Sequence, residues 1–343
     1  MDRFETPPRL RDDLPEPRPT GNELLVRVHA SSVNPGDAKI AAGDLSWIAE
    51  YEFPVTLGRD FAGVVEQTGS GATRYRAGDE VFGFVLHANP TVHEGSWAEL
   101  MTIPEDHFVA SKPANLDMAH AAAAPLAAVT AFIAVDELAP VAGETVLVIG
   151  ATGGVGGFFV QLAASAGARI IAPGLPDDKD YLRSLGVADV IDRDGDLKAT
   201  VAERYPDGVD AILDLLSNAP QDAVLKAGGR LASPVGGAGR GPGRFNFNVM
   251  AKPGPENVRR LAELLDEGAL RVHIQRTCCV RRWSGARHRR FWRAHVAGSF
   301  SHTRPCASDR GAHDLRRGND NLYGTAQQRL RACHGWGHAR KKH

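Results

Sequence analysis

The sequence predicts an α/β protein in two parts: a β-rich first domain, then a second domain built on a doubly wound parallel sheet. Two changes of pattern carry this. Up to Pro104, short apolar runs are broken by Gly, Pro and Asp turns. From Asp117 the apolar period becomes helical, and after Gly143 strand-like and helical runs alternate. The 343 residues suffice for two domains of ordinary size.

In order along the chain, residues 23–28 read as a strand, followed by a turn-rich stretch over 31–37. Residues 56–67 are a turn entering a strand, and 80–85 and 95–104 are two further strand-like runs. In the second part, residues 145–149, 169–171, 190–191, 209–213 and 230–234 read as strands with helical stretches between them. Residues 256–267 carry Val258, Leu261, Leu264 and Leu265 on one face and form a closing amphipathic helix, stopped by Gly268. The expected limits are 1–116 for the first domain and 117–250 for the second, with 251–277 returning towards the first.

The most informative motif is Gly150-Ala151-Thr152-Gly153-Gly154-Val155-Gly156, set between the first strand of the second domain and an amphipathic run over 158–166. Strand, glycine turn and helix in that order form a dinucleotide-binding unit. Glycines let the backbone approach a pyrophosphate with no Cβ in the way. The helix N-terminus adds unpaired N–H groups and a positive dipole end. Gly150, Gly153, Gly154, Val155 and Gly156 are therefore expected to line the pyrophosphate. Ser233 and Gly236 fall at the end of a later strand, where ligands lie in such sheets.

The second strand of this unit ends without an acid to bind a ribose 2′-hydroxyl. Asp177 and Asp178 come only after a Gly-Leu-Pro turn, and Lys179 follows them, placed to meet a 2′-phosphate. This favours NADP over NAD. The other reading of Lys179 is a solvated lysine at a helix start.

The overall charge of −1 hides a split. Residues 278–343 hold 15 Lys or Arg against 3 Asp, whereas 1–277 hold 25 basic and 38 acidic residues. All four cysteines lie in the tail, with 7 of the 13 histidines but only five Val, Leu or Ile. No helical or strand periodicity is legible there, so the tail is expected to be aberrant and disordered. A basic nucleic-acid arm and a Cys/His metal site are two readings of it, the second opposed by the lack of any Cys-x-x-Cys pair. The favoured third reading is a GC-rich gene translated out of frame, which gives such a composition.

No membrane segment is legible. The most apolar stretch, 119–135, is alanine-rich and contains His120, Pro125 and Thr130. The first thirty residues are polar and proline-rich, without the apolar core of a secretory signal. A cytoplasmic protein is expected, with a homodimer kept open.

Residues 2–277 resemble the medium-chain dehydrogenase/reductase superfamily, in its zinc-independent quinone oxidoreductase branch. The resemblance is carried by Val33-Asn34-Pro35-Gly36-Asp37, by Leu57-Gly58-Arg59-Asp60-Phe61-Ala62-Gly63, by Ala77-Gly78-Asp79-Glu80-Val81, by Gly95-Ser96-Trp97-Ala98-Glu99, by Pro125-Leu126-Ala127-Ala128-Val129-Thr130-Ala131 and by the glycine loop. It implies a GroES-like β-domain, a Rossmann domain, NADPH in the cleft between them, and reduction of quinones or α,β-unsaturated carbonyls. Zinc-dependent relatives have Cys where this chain has Asn34 and His where it has Arg59. The body contains no cysteine, so no zinc is expected. Without a Lewis acid, alcohol–carbonyl interconversion is disfavoured, whereas a quinone or enone accepts hydride without one. Family members already have an opening strand where this chain starts, so that strand is expected to be missing.

The resemblance also assigns roles. Thr130 matches a threonine near the nicotinamide carboxamide, against a hydroxyl merely bonded to its own helix. Asn34 is expected to face the substrate and donate to the developing enolate or quinol oxygen, against a turn-former before Pro35. Tyr51 is a candidate proton donor or, beside Phe53 and Pro54, a pocket wall. No Ser-His-Asp arrangement is legible, and His87, His93 and His107 show no partner pattern. The expected chemistry is hydride transfer from NADPH to the acceptor, with the proton from water. The alternatives are an enoyl reductase, an inactive frame-damaged chain, and a nucleic-acid binder acting through the tail.

Overall fold

The computed structural model describes residues 2–5, 9–47, 50–86, 91–92, 94–217, 220–247, 255–281 and 291–296. The first domain contains β1 (Glu23–Ser32), α1 (Pro35–Ala42), β2 (Glu50–Tyr51), β3 (Asp60–Thr68), β4 (Glu80–Phe84), β5 (Thr91–Val92), β6 (Leu100–Pro104) and β7 (Val109–Ser111). The antiparallel run β1-β3-β4-β7 is its backbone, and β6 lies against the first half of β1. Leu24, Val26 and Val28 of β1 pack with Phe61, Val65, Val81 and Met101 in one apolar cluster.

Residues 35–42 were read partly as turn and are helical. Asn-Pro-Gly-Asp serves equally well as a helix start. Pro35 occupies the first turn, where its missing N–H costs nothing. The Asn34 N–H donates to Asp37 Oδ2 at 2.7 Å, and the Asp37 N–H donates to the Asn34 carbonyl at 3.0 Å.

Two helices lead into the second domain, α2 (Met118–Ala122) and α3 (Pro125–Leu138). There follow β8 (Thr145–Ile149), α4 (Gly154–Ser165), β9 (Arg169–Gly174), α5 (Lys179–Leu185), β10 (Val187–Asp192), α6 (Leu197–Arg204), β11 (Val209–Asp214), β12 (Leu225–Ser233), β13 (Arg244–Asn246) and α7 (Glu256–Asp266). All neighbours in the sheet β10-β9-β8-β11-β12-β13 are parallel. This is the Rossmann order, reversing between β8 and β11. One core joins the domains, in which Ala30, Phe82 and Phe84 of the first pack with Ala128 and Phe132 of α3 and Val146 and Val148 of β8.

The stretch past Thr277 departs from the expectation. β14 (Arg276–Arg281) and β15 (Phe291–Val296) form an antiparallel pair, and β15 runs parallel to Ala30–Ser32 of β1. The expected absence of strands after Thr277 is thus corrected for these residues. The physical reason is an edge: β6 pairs only with residues 23–27 of β1, which leaves the backbone of residues 30–32 for another strand. Residues 282–290 and 297–343, on which the reading of a disordered tail bears, lie outside the described residues. No helix among the described residues is long and apolar enough to cross a membrane.

Candidate active site

The glycine loop sits at the switch point of the parallel sheet. Gly150 follows β8 with φ +95°, and Gly153 opens α4 as its N-cap. As a glycine, Gly153 brings no side chain to cap that N-terminus, which leaves the first-turn N–H groups of Gly154, Val155 and Gly156 at the dipole's positive end. Gly156 is fixed by contact: a Cβ there would lie 2.2 Å from the Gly150 carbonyl oxygen. At Gly153 a Cβ would approach the described residues no closer than 3.4 Å. The first glycine packs helix against strand, and the second leaves open space for a ligand. The loop therefore fits a dinucleotide pyrophosphate.

Two neighbouring loops share this edge. Asp214, buried at the end of β11, accepts from the N–H of Leu216 at 3.0 Å and of Ser217 at 2.9 Å, and from the Ser217 hydroxyl. Ser233, buried at the end of β12, accepts from the N–H of Val235 at 3.2 Å and of Gly237 at 3.1 Å. A Cβ on Gly150 would meet Leu215, and one on Gly237 would meet the Ser217 carbonyl, so the three loops are contiguous. Gly236 has φ +88° and open space around it. Through that oxygen Ser233 shapes its loop. Lys179 is exposed at the start of α5, past the end of β9, and makes no ion pair among the described residues.

The second half of the site lies where the domains meet. Asn34 Nδ2 donates to Asp60 Oδ2 at 2.7 Å and to Ser32 Oγ at 3.1 Å. The Ser32 hydroxyl donates to the same Asp60 oxygen. Asp60 Oδ1 accepts from the Leu126 N–H at 2.7 Å, in the first turn of α3. One turn on, the Thr130 hydroxyl donates to the Leu126 carbonyl at 2.6 Å. Thr130 therefore makes the local helix bond weighed above, and its oxygen keeps acceptor capacity.

Burial pushes the Asp60 carboxyl up to about 6, against its three donors and the charge of Arg59. Behind it, Arg59 Nε faces Asp37 Oδ1 at 3.7 Å. Burial lowers the guanidinium to about 10 and raises the Asp37 carboxyl to about 6, each offset by the other's charge. Arg59 also donates to the carbonyls of Val85 at 3.3 Å and Glu94 at 3.5 Å. Gly58 makes room for this arrangement, since at φ +96° a Cβ would lie 2.3 Å from the Trp97 ring. Tyr51 is half-buried, with its ring edge-on to Phe4 at 4.9 Å between centroids. Burial raises its phenol and Arg59 opposes that shift. His87 and His93 lie outside the described residues, and His107 sits in the turn between β6 and β7.

Sequence reasoning missed Asp60, Leu126 and Asp214 as site-building residues. The signal for the first was present: Arg59 and Asp60 are adjacent charges inside an otherwise apolar run, a pattern that survives burial only when both are partnered.

Fold and site together define a two-domain, dinucleotide-binding protein with a GroES-like first domain. Residues 20–114 match the alcohol dehydrogenase GroES-like domain, and residues 154–252 match the family described as zinc-binding dehydrogenase. Human quinone oxidoreductase is 34% identical over 65% of this chain and 67% of its own length. The bovine mitochondrial NAD(P)H oxidoreductase RTN4IP1 is 32% identical over 60% of this chain and 54% of its own. The chain spans about half the length of several such curated relatives. The quinone oxidoreductase structure from Coxiella burnetii superposes with a TM-score of 0.68 at 28% identity, over 80% of this chain and 88% of that one. The chain belongs to the medium-chain dehydrogenase/reductase superfamily and is quinone oxidoreductase-like.

Proposed function

We propose that this protein is an NADPH-dependent, zinc-independent oxidoreductase that passes hydride to a quinone or an α,β-unsaturated carbonyl. The observation that carries the reading is the glycine-capped N-terminus of α4 beneath the glycine loop, in the domain whose helix α3 bonds through Leu126 to the Asn34–Asp60 pair. When bound, the reduced nicotinamide supplies the hydride. The loop N–H groups hold the pyrophosphate, and Lys179 takes the 2′-phosphate that distinguishes NADPH from NADH. The Thr130 oxygen accepts from the carboxamide. The Asn34 amide donates to the acceptor oxygen as charge builds on it. Tyr51 forms the wall, and water supplies the proton.

Zinc does not suit this donor set. Asn34 and Arg59 stand at the ligand positions of zinc-dependent relatives, and a guanidinium 3% exposed repels a dication. An electron-poor acceptor needs no Lewis acid.

Steady-state oxidation of NADPH with para-benzoquinone and with an enone tests this, before and after dialysis against a chelator. Turnover with either acceptor that survives chelation is expected. Turnover only with simple aldehydes, or its loss on chelation and recovery with zinc, contradicts the proposal.

A further inference from the structure

We propose that Asp60 is a positioning residue for hydride transfer, its carboxylate setting the direction of the Asn34 amide and tying it to the first turn of α3. This rests on the proposed function and adds a residue to it. A continuous run of bonds supports it: Asn34 Nδ2 to Asp60 Oδ2, the Leu126 N–H to Asp60 Oδ1, and the Thr130 hydroxyl to the Leu126 carbonyl. The substrate-facing amide of one domain and the nicotinamide-facing hydroxyl of the other thus share one buried carboxylate. Asp60 is fully enclosed, so it touches neither ligand. Its two oxygens are divided between the domains, one taking both Ser32 and Asn34 and the other the helix N–H. That division fixes two reacting groups relative to each other, and a misplacement of about an ångström there costs up to a hundredfold in rate.

Asp60→Asn is nearly isosteric. Its carbonyl keeps the Leu126 bond, while its new N–H groups oppose the Asn34 donor and turn that amide over. The expected result is a kcat with para-benzoquinone reduced about tenfold to a hundredfold, with NADPH Kd within about twofold because the glycine loop is untouched. A double-mutant cycle separates positioning from mere folding: in an Asn34→Ala background, Asp60→Asn adds nothing further to the loss in kcat. Wild-type kcat in Asp60→Asn, or losses that multiply in the double variant, overturns the proposal. Should Asp60→Asn give no folded protein, Ser32→Ala replaces it in the same cycle, since that hydroxyl donates to the same oxygen. Coupling with Asn34→Ala then supports the proposal and independence overturns it. A wild-type chain that oxidises no NADPH with any acceptor is a different failure, of the functional reading itself, and removes the positioning role with it.

Discussion

Arg59 and Asp37 face each other at 3.7 Å with side chains only 4% and 1% exposed. A buried ion pair is held against a large desolvation cost, so removing one member leaves an uncompensated charge. Arg59→Met is expected to lose about 3–5 kcal/mol of stability. Removing both charges, as Arg59→Met with Asp37→Asn, which keeps an acceptor for the Asn34 N–H, is expected to recover most of that loss. Urea unfolding of the two variants and the wild type measures both.

Asp37 and Asp60 are both raised by burial to about 6. A carboxyl whose folded value lies above its unfolded one binds more protons in the native state. The stability this confers is fully present below the unfolded value near 3.8 and is lost as pH rises through about 6. These two groups therefore make the fold more stable towards the acid end of that window, opposite to the usual carboxylate effect. Unfolding free energies at several pH values between the two limits are expected to fall with rising pH, more steeply in the wild type than in Asp60→Asn.

The glycine loop separates packing from ligand approach. A methyl at Gly156 must displace α4 from the Gly150 carbonyl, with an expected cost of about 1–3 kcal/mol and loss of nucleotide binding. A methyl at Gly153 meets protein only at 3.4 Å, yet projects where the phosphate is proposed to lie. Gly153→Ala is expected to change stability by less than about 1 kcal/mol and to weaken NADPH binding. Thermal unfolding and nucleotide titration on the same samples distinguish the two.

Thr130 offers a cleaner test of a ligand role than its local bond suggests. Its hydroxyl hydrogen is spent on the Leu126 carbonyl, so stability barely depends on it. Thr130→Val is expected to leave stability within about 1 kcal/mol while lowering kcat/KM for NADPH, and Thr130→Ser to restore it. A Val variant with unchanged kinetics would reduce Thr130 to a helix residue.

What the sequence made legible was what depends on local periodicity. The strand Thr145–Ile149, the glycine turn and the amphipathic face of α7 each follow from neighbours a few residues apart. The start of α1 was ambiguous because Asn34-Pro35 is both a turn and a helix entry, and β15 was hidden because its partner, residues 30–32, lies more than 250 residues away. The same holds for the site. The pyrophosphate loop is a local motif, whereas the Asp60 network joins residues of β1, β3 and α3 that only the folded chain brings together.

Cofactor use is measured by titrating the purified full-length chain with NADPH, followed by nicotinamide fluorescence, with NADH run beside it. Saturable binding several-fold tighter for NADPH, and a preference that shrinks in Lys179→Ala, is the expected result. No binding to a soluble, folded sample, or equal affinity for the two nucleotides, would contradict the account.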